Sequence, residues 1–250
     1  MARLFDATTD RLSNTTFPAV TTAAGTIFTR VKPNWNYNDS AIHVIWHHGN
    51  ASHPTVDECP IFQKFSDNNI YIGFNNAGSG DQRIAISGSG CFSNGVWQNH
   101  LFTWNDSANE LFYYCDNTQM GTRTSALTPF GNVGLCVGNY LLSWDVGKNL
   151  DGSLAEYARW NRTLTSTERS ALQATGDPAS VPEGLTHHLR FEADGNTQYS
   201  EVSTSTLTNT NTVQSNHPTT YFDGGYLQMR IPVPVVGGRN VGPDFMPFFT

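Results

Sequence analysis

Hydrophobic and polar positions alternate in short runs along most of the chain. In residues 25–32 (GTIFTRVK), Ile27, Thr29 and Val31 fall on one face and Phe28, Arg30 and Lys32 on the other. Residues 41–47, 61–65, 70–74 and 83–87 predict further strands, each bounded by Gly, Asn, Asp or Ser clusters such as residues 75–80. Turn signals recur about every ten residues, the pattern of a sandwich or barrel. One helix stands out. Thr165-Ser166-Thr167-Glu168 is a capping box, Leu172 supplies an apolar contact, and Gly176 suits a left-handed stop. It reads as a surface helix closing the sandwich.

The texture changes after Asp177-Pro178. Residues 186–191 (THHLRF) predict one more strand, and residues 204–212 (TSTLTNTNT) are uncharged and of low complexity. The last 25 residues are apolar but broken by Pro and Gly. Pro232 and Pro234 exclude a helix or a central strand there. The expected division is a sandwich over 1–176, then a strand and an extended arm over 177–250. An exposed apolar arm is costly in a free monomer. Tyr226, Met229, Ile231, Val233, Phe245, Phe248 and Phe249 are therefore expected to contact the body or, preferentially, a neighbouring subunit.

Composition supports many short strands. Only 38% of the 250 residues are hydrophobic and 14% charged, and turn-forming Asn, Thr, Ser and Gly fill the difference. A net charge of −7 without a Lys/Arg run argues against a nucleic-acid partner, and no run of 18 apolar residues predicts a membrane span. The first residues carry no apolar core of a secretory signal. The four cysteines have no metal-type spacing. Cys115 and Cys136 sit in apolar strand patterns as buried thiols, while Cys59 and Cys91 lie in polar contexts where a pair could form.

Five motifs occur in a telling order. They are Leu4-Phe5-Asp6 near the start, a strand led by Trp97, Tyr113-Tyr114-Cys115-Asp116-Asn117, Val137-Gly138, and a segment from Gly152 through Leu154, Glu156, Trp160, Asn161, Arg162 and Leu164 to Thr165. This order resembles the laminin G-like form of the concanavalin A-like lectin/glucanase superfamily. The resemblance implies an all-β antiparallel jelly-roll sandwich over about 3–176. Many relatives hold a structural calcium, so the resemblance implies Asp6, Asp10, Asp151 and Glu156 as candidate ligands. Ala155 stands where an acidic residue often precedes the glutamate, which weakens that set, since calcium takes six to eight hard oxygens.

Catalytic patterns are missing from the sequence. Glucanases of the superfamily carry carboxylates at alternating strand positions, and no such run occurs; Asp57-Glu58 are adjacent and would point opposite ways. His47-His48 and His187-His188, as strand neighbours, face opposite sides and make poor metal pairs. Trp35, Tyr37, Trp46, Tyr140 and Trp144 are read as lying in or beside loops, where they would stack on a glycan or anchor an interface. Two non-enzymatic readings follow. One is a bacteriophage virion protein that decorates a capsid or tail, partnered by other virion proteins or copies of itself. The other is a carbohydrate-binding module or lectin at an extracellular or cell surface.

Overall fold

The computed structural model describes residues 2–7, 9–20, 23–49, 59–75, 82–124, 134–140, 148–191, 197–199, 202–210 and 212–215. Two antiparallel sheets face each other. The first is built from β1 (Ala2–Phe5), β3 (Ala24–Pro33), β8 (Gln98–Asn105), β9 (Glu110–Cys115), β10 (Thr118–Thr124), β12 (Gly152–Trp160), β13 (Leu185–Arg190) and β16 (Val213–Ser215). Its order is β10-β9-β8-β3-β12-β1-β16, with β13 also on β12. β1 pairs with the first residues of β12 and β13 with the last five, end to end along one edge.

The second sheet contains β2 (Arg11–Asn14), β4 (His43–His48), β5 (Cys59–Lys64), β6 (Asn69–Asn75), β7 (Gln82–Ser87), β11 (Leu135–Val137), β14 (Thr197–Tyr199) and β15 (Thr206–Thr210). Its order is β14-β15-β2-β11-β4-β5-β6-β7. This is the all-β jelly-roll sandwich expected from the alternation. The strands sit slightly off the predicted bounds, but β3, β4, β5, β6, β7 and β13 all fall where the alternation placed them.

The sandwich does not stop at residue 176. β13 to β16 all join the two sheets, so the expected division falls inside the fold. The uncharged stretch in 204–212 forms β15, which pairs with β2; its threonines suit a pleated strand, and Leu207 fills the core. The arm residues Tyr226, Met229, Ile231, Val233, Phe245, Phe248 and Phe249 lie outside the described residues.

Register explains the core. Ile27 pairs with Phe102 and Arg159, Val31 with Leu154, Phe102 with Tyr113, and Trp104 with Leu111, and these side chains face the second sheet. From that sheet come Trp46, Phe62, Ile70, Ile72 and Phe74. Burying each large side chain contributes roughly 1.5–3 kcal/mol. The opposite face of the first sheet is also apolar. Ala158, Phe28, Leu101 and Tyr114 form one cross-strand row, covered by Leu172 of α1 (Ser166–Thr175) and by Leu164 just ahead of the helix. The helix starts as predicted: the Thr165 hydroxyl accepts from the Glu168 amide, Glu168 reaches back to the Thr165 amide, and Gly176 closes the helix at φ 63°. Arg162 makes an ion pair with Glu168, whose carboxyl is held down to about 2 chiefly by that guanidinium.

Cys91 is a buried free thiol, and so are Cys115 and Cys136. A Cys59–Cys91 disulfide is therefore not made. Cys91 instead faces the Cys115 thiol, which donates to the carbonyls of Gly90 and Cys91 at 3.8 Å.

Gly25 lies against the indole of Trp104, where an added Cβ would meet Cζ2 at 2.1 Å. Because Trp104 is locked among Phe74 and Phe102, Gly25→Ala is expected to lower stability by about 1–3 kcal/mol in urea denaturation. An unchanged midpoint would show that the indole can move aside.

Candidate functional site

The aromatic residues singled out from the sequence are mostly internal. Trp35 is 5% exposed, stacks on His43 at 4.0 Å and donates its Nε1 to the Leu150 carbonyl at 2.6 Å. It is fixed there by a polar cluster. Asp39 accepts from His43 Nε2 at 2.7 Å and pairs with the fully buried Lys64, whose ammonium also lies over the Trp35 ring. Trp46 lies within β4, packed on Phe62 and Tyr157. Tyr140 is 8% exposed and donates to Gln63 Oε1 at 2.6 Å. Tyr37 is half-buried against the core. Trp35, Trp46 and Tyr140 therefore offer no open ring face for a sugar, and Trp144 lies outside the described residues.

The carboxylates expected at a calcium do not gather either. Glu156 is buried under the helix side of the first sheet and accepts from His188 Nε2 at 2.9 Å. Asp10 closes the β1–β2 turn, its Oδ2 accepting from the Asp6 and Ala7 amides at 3.0 Å. Asp151, at φ 45°, takes a hydrogen bond from Asn34. Among the described residues no three His, Cys, Asp or Glu side chains come together as a metal requires. Although Asp10 Oδ1 is buried without a partner, the set does not fit calcium, because the cation needs six to eight oxygens and Glu156 is committed elsewhere.

The histidine doublets split across the strands as predicted. His48 points into the core and meets the Tyr157 hydroxyl at 2.6 Å, while His47 packs on Tyr140. His187 lies on Phe17 and His188 on Glu156. Burial pushes His47 down to about 4 and His100 to about 3; burial together with the Arg159 charge pushes His187 to about 3. These imidazoles are neutral parts of the core.

The open surface lies at the β5–β6 turn. Gln63, Tyr71 and Ala85 form one cross-strand row on the outer face of the second sheet, because Ile70, Ile72 and Phe74 take the inner positions of β6. Asn68 adopts φ 65°, and the chain reverses with Phe65 donating to the Asn69 carbonyl at 2.8 Å. The turn presents Phe65, 36% exposed, edge-on to Tyr71 at 5.8 Å. Arg83 of β7 lies over the Tyr71 ring at 4.9 Å. Asp67 accepts from the Tyr71 hydroxyl at 2.7 Å and from Asn69 at 2.9 and 3.0 Å. Partial burial pushes the Asp67 carboxyl up, but these hydrogen bonds together outweigh it and hold the carboxyl below its usual range.

Phe65, Ser66, Asp67, Tyr71 and Arg83 enclose an open depression of about 370 Å3. A ring, a carboxylate, a phenol and a guanidinium converge there without filling it. By contrast, the seam between α1 and the first sheet leaves about 10 Å3, room for no more than one water. None of the five residues was flagged from the sequence. The signal was present, since Tyr71 occupies an outward position in a strand whose even-numbered residues are apolar, and Phe65 directly precedes a polar turn.

The family model described as the concanavalin A-like lectin/glucanases superfamily, in its laminin G form, matches residues 6–168. The chain belongs to this superfamily. No curated protein matches the sequence. Among solved structures, a heptameric SAP-like pentraxin from Limulus polyphemus superposes with TM-score 0.55 at 14% identity, covering 83% of this chain and 94% of the pentraxin. A Bacteroides ovatus protein named as a candidate carbohydrate binder gives TM-score 0.61 at 14% identity, covering 85% of this chain and 58% of its own. The CBM40 domain of the Ruminococcus gnavus IT-sialidase, bound to α2,3-sialyllactose, gives TM-score 0.51 at 12% identity, covering 67% of this chain and 99% of the domain. At such identities the likeness concerns the lectin-like sandwich. No helix among the described residues is long and apolar enough to cross a membrane.

The neutral core histidines make stability pH-dependent. The unfolded chain binds protons as pH falls through about 6.5, whereas folded His47, His100 and His187 do so only near 4, 3 and 3. Stability is therefore complete above about 6.5 and declines below it, by up to about 1.4 kcal/mol per pH unit for each histidine. Thermal melts between pH 7.5 and 4.5 are expected to show this decline beginning near pH 6.5. A flat plateau down to pH 4.5 would contradict it.

Proposed function

We propose that the chain is a non-catalytic adhesion domain that binds a surface glycan in the depression formed by Phe65, Tyr71, Asp67 and Arg83. The observation that carries this reading is the convergence of an exposed ring with both signs of charge on the outer face of a lectin-like sandwich. A pyranose has an apolar C–H face and a rim of hydroxyls, which suit the Phe65–Tyr71 ring pair and the Asp67 and Arg83 side chains respectively. Binding rather than hydrolysis is supported by the sequence, which carries no alternating carboxylate run. Such a domain works at an extracellular or cell surface.

On a glycan array the full chain is expected to give discrete hits. Phe65→Ala and Tyr71→Ala should each weaken the best hit about tenfold in calorimetry while leaving the fold intact. An array without hits, or hits indifferent to both substitutions, would exclude the reading.

A second setting is supported by the sequence of the arm. Residues 222–250 are apolar and Pro-broken, which suits a segment that covers itself on a neighbour, as in a bacteriophage virion protein decorating a capsid or tail. Removing 222–250 should then convert an assembling chain into a monomer by light scattering without loss of glycan binding. A full chain that is already monomeric would count against this setting.

A further inference from the structure

At the Trp160 end of β12 lies a buried cation that no carboxylate among the described residues neutralises. Arg159 is 8% exposed, and its guanidinium sits 5.7 Å over the Phe17 ring. Nη1 donates to the carbonyls of Pro18 at 2.8 Å and Ala19 at 3.3 Å. Nε reaches the Thr186 hydroxyl only at 3.5 Å, and Nη2 has no hydrogen-bond partner among the described residues. No carboxylate among the described residues pairs with Arg159. Its neighbours His48 and His187, from β4 and β13, are held neutral by burial and by the Arg159 charge itself.

Carbonyl groups satisfy two donor directions, but they do not neutralise the charge. A guanidinium taken out of water without an anion retains a desolvation cost that a bound anion would offset. With Nη1 engaged and Nε held only by the long contact to Thr186, the donors left for a stronger acceptor are Nε and Nη2. These form the parallel edge that a carboxylate accepts in bidentate fashion. Arg159 also lines a cavity of about 230 Å3 shared with Pro18, Val20, Trp160, Asn161 and Thr186. A water's share of liquid volume is about 30 Å3. The space is therefore several waters large, with the Arg159 guanidinium and the polar residues Asn161 and Thr186 in its lining.

We propose that this cavity is a second binding site, in which Arg159 receives the carboxylate of a small acidic ligand. It shares no residue with the Phe65–Tyr71 depression and does not depend on the reading given to that surface. The shared chemistry is the carboxylate, free or carried on an acidic monosaccharide. The Asn161 and Thr186 side chains would contact the body of such a sugar.

The test is to follow the Arg159 Nε resonance of the full 15N-labelled chain during titration with sodium glucuronate, acetate and glucose at constant ionic strength. Saturable displacement by glucuronate alone, or more strongly than by acetate, is expected and assigns an acidic sugar. Displacement by acetate alone also supports the site and assigns a small free carboxylate. No saturable displacement by either carboxylate, or equal displacement by glucose, overturns the proposal. Arg159→Lys should weaken carboxylate binding at least about tenfold, because an ammonium cannot present the bidentate edge. Unchanged affinity in that variant would also overturn it. The resonance titration needs no substitution, so the site stays testable if Arg159→Lys releases the 17–20 segment and fails to fold.

Discussion

Strand β12 is buried along its whole length, from Gly152 to Trp160, and this constraint shapes the rest of the molecule. A strand buried on both faces needs an apolar layer on each. The second sheet supplies one, against Leu154 and Tyr157. The α1 segment supplies the other, against Ala158 and Trp160. The helix is therefore a requirement of β12 rather than an ornament of the C-terminal side. Its capping box and Gly176 stop fix where it begins and ends, so that Leu172 lands on the sheet. Gly152 fits the same logic, because a Cβ there would meet the Lys32 carbonyl at 2.6 Å in the adjacent strand.

The second sheet is under a different constraint. Only its inner face is required by the core, and β6 shows the division clearly: Ile70, Ile72 and Phe74 turn inward, leaving Tyr71 to the outside. Part of the outer face is covered, as Tyr140, Val44 and Ile61 pack together. Toward the β5–β6 turn that cover ends. There the side chains bond to one another instead, with Asp67 holding the Tyr71 hydroxyl and Arg83 lying on the Tyr71 ring. These contacts restrict the rotamers of three long side chains before any ligand arrives, which lowers the ordering cost of binding.

Period-two alternation made the strands legible, because the side-chain period of a pleated chain is a direct consequence of its geometry. The capping box was legible for the same kind of reason: it is a local hydrogen-bond pattern that needs no tertiary partner. β15 was harder. Its threonines carry no alternation of hydrophobicity, and its pairing with β2 links segments nearly two hundred residues apart. The site was legible only in part. Trp35 looks like a loop residue because Asn34, Asn36 and Asn38 surround it. What buries it is the Asp39–Lys64–His43 cluster, a combination assembled from the loop before β4, β4 itself and β5. Trp46 was misplaced because a strand residue next to His47-His48 reads as polar, although both histidines are buried. Burial sets protonation here, not the reverse.

The treatment of cations shows how the fold distributes charge. Lys64 is fully buried and is matched by Asp39; Arg190 is matched by Asp177 and Arg162 by Glu168. Each of these pairs joins a strand or loop to a neighbouring element and fastens the fold where it lies. Arg159 performs the same mechanical task, tying residues 18 and 19 to β12, but does so through carbonyl oxygens. A carboxylate at that position would close the end of the sandwich. Carbonyls hold the segment in place while leaving a net positive charge beside an open cavity. In a chain of net charge −7, no carboxylate among the described residues offsets this buried positive charge, and the low-dielectric Phe17 ring beneath it strengthens its potential.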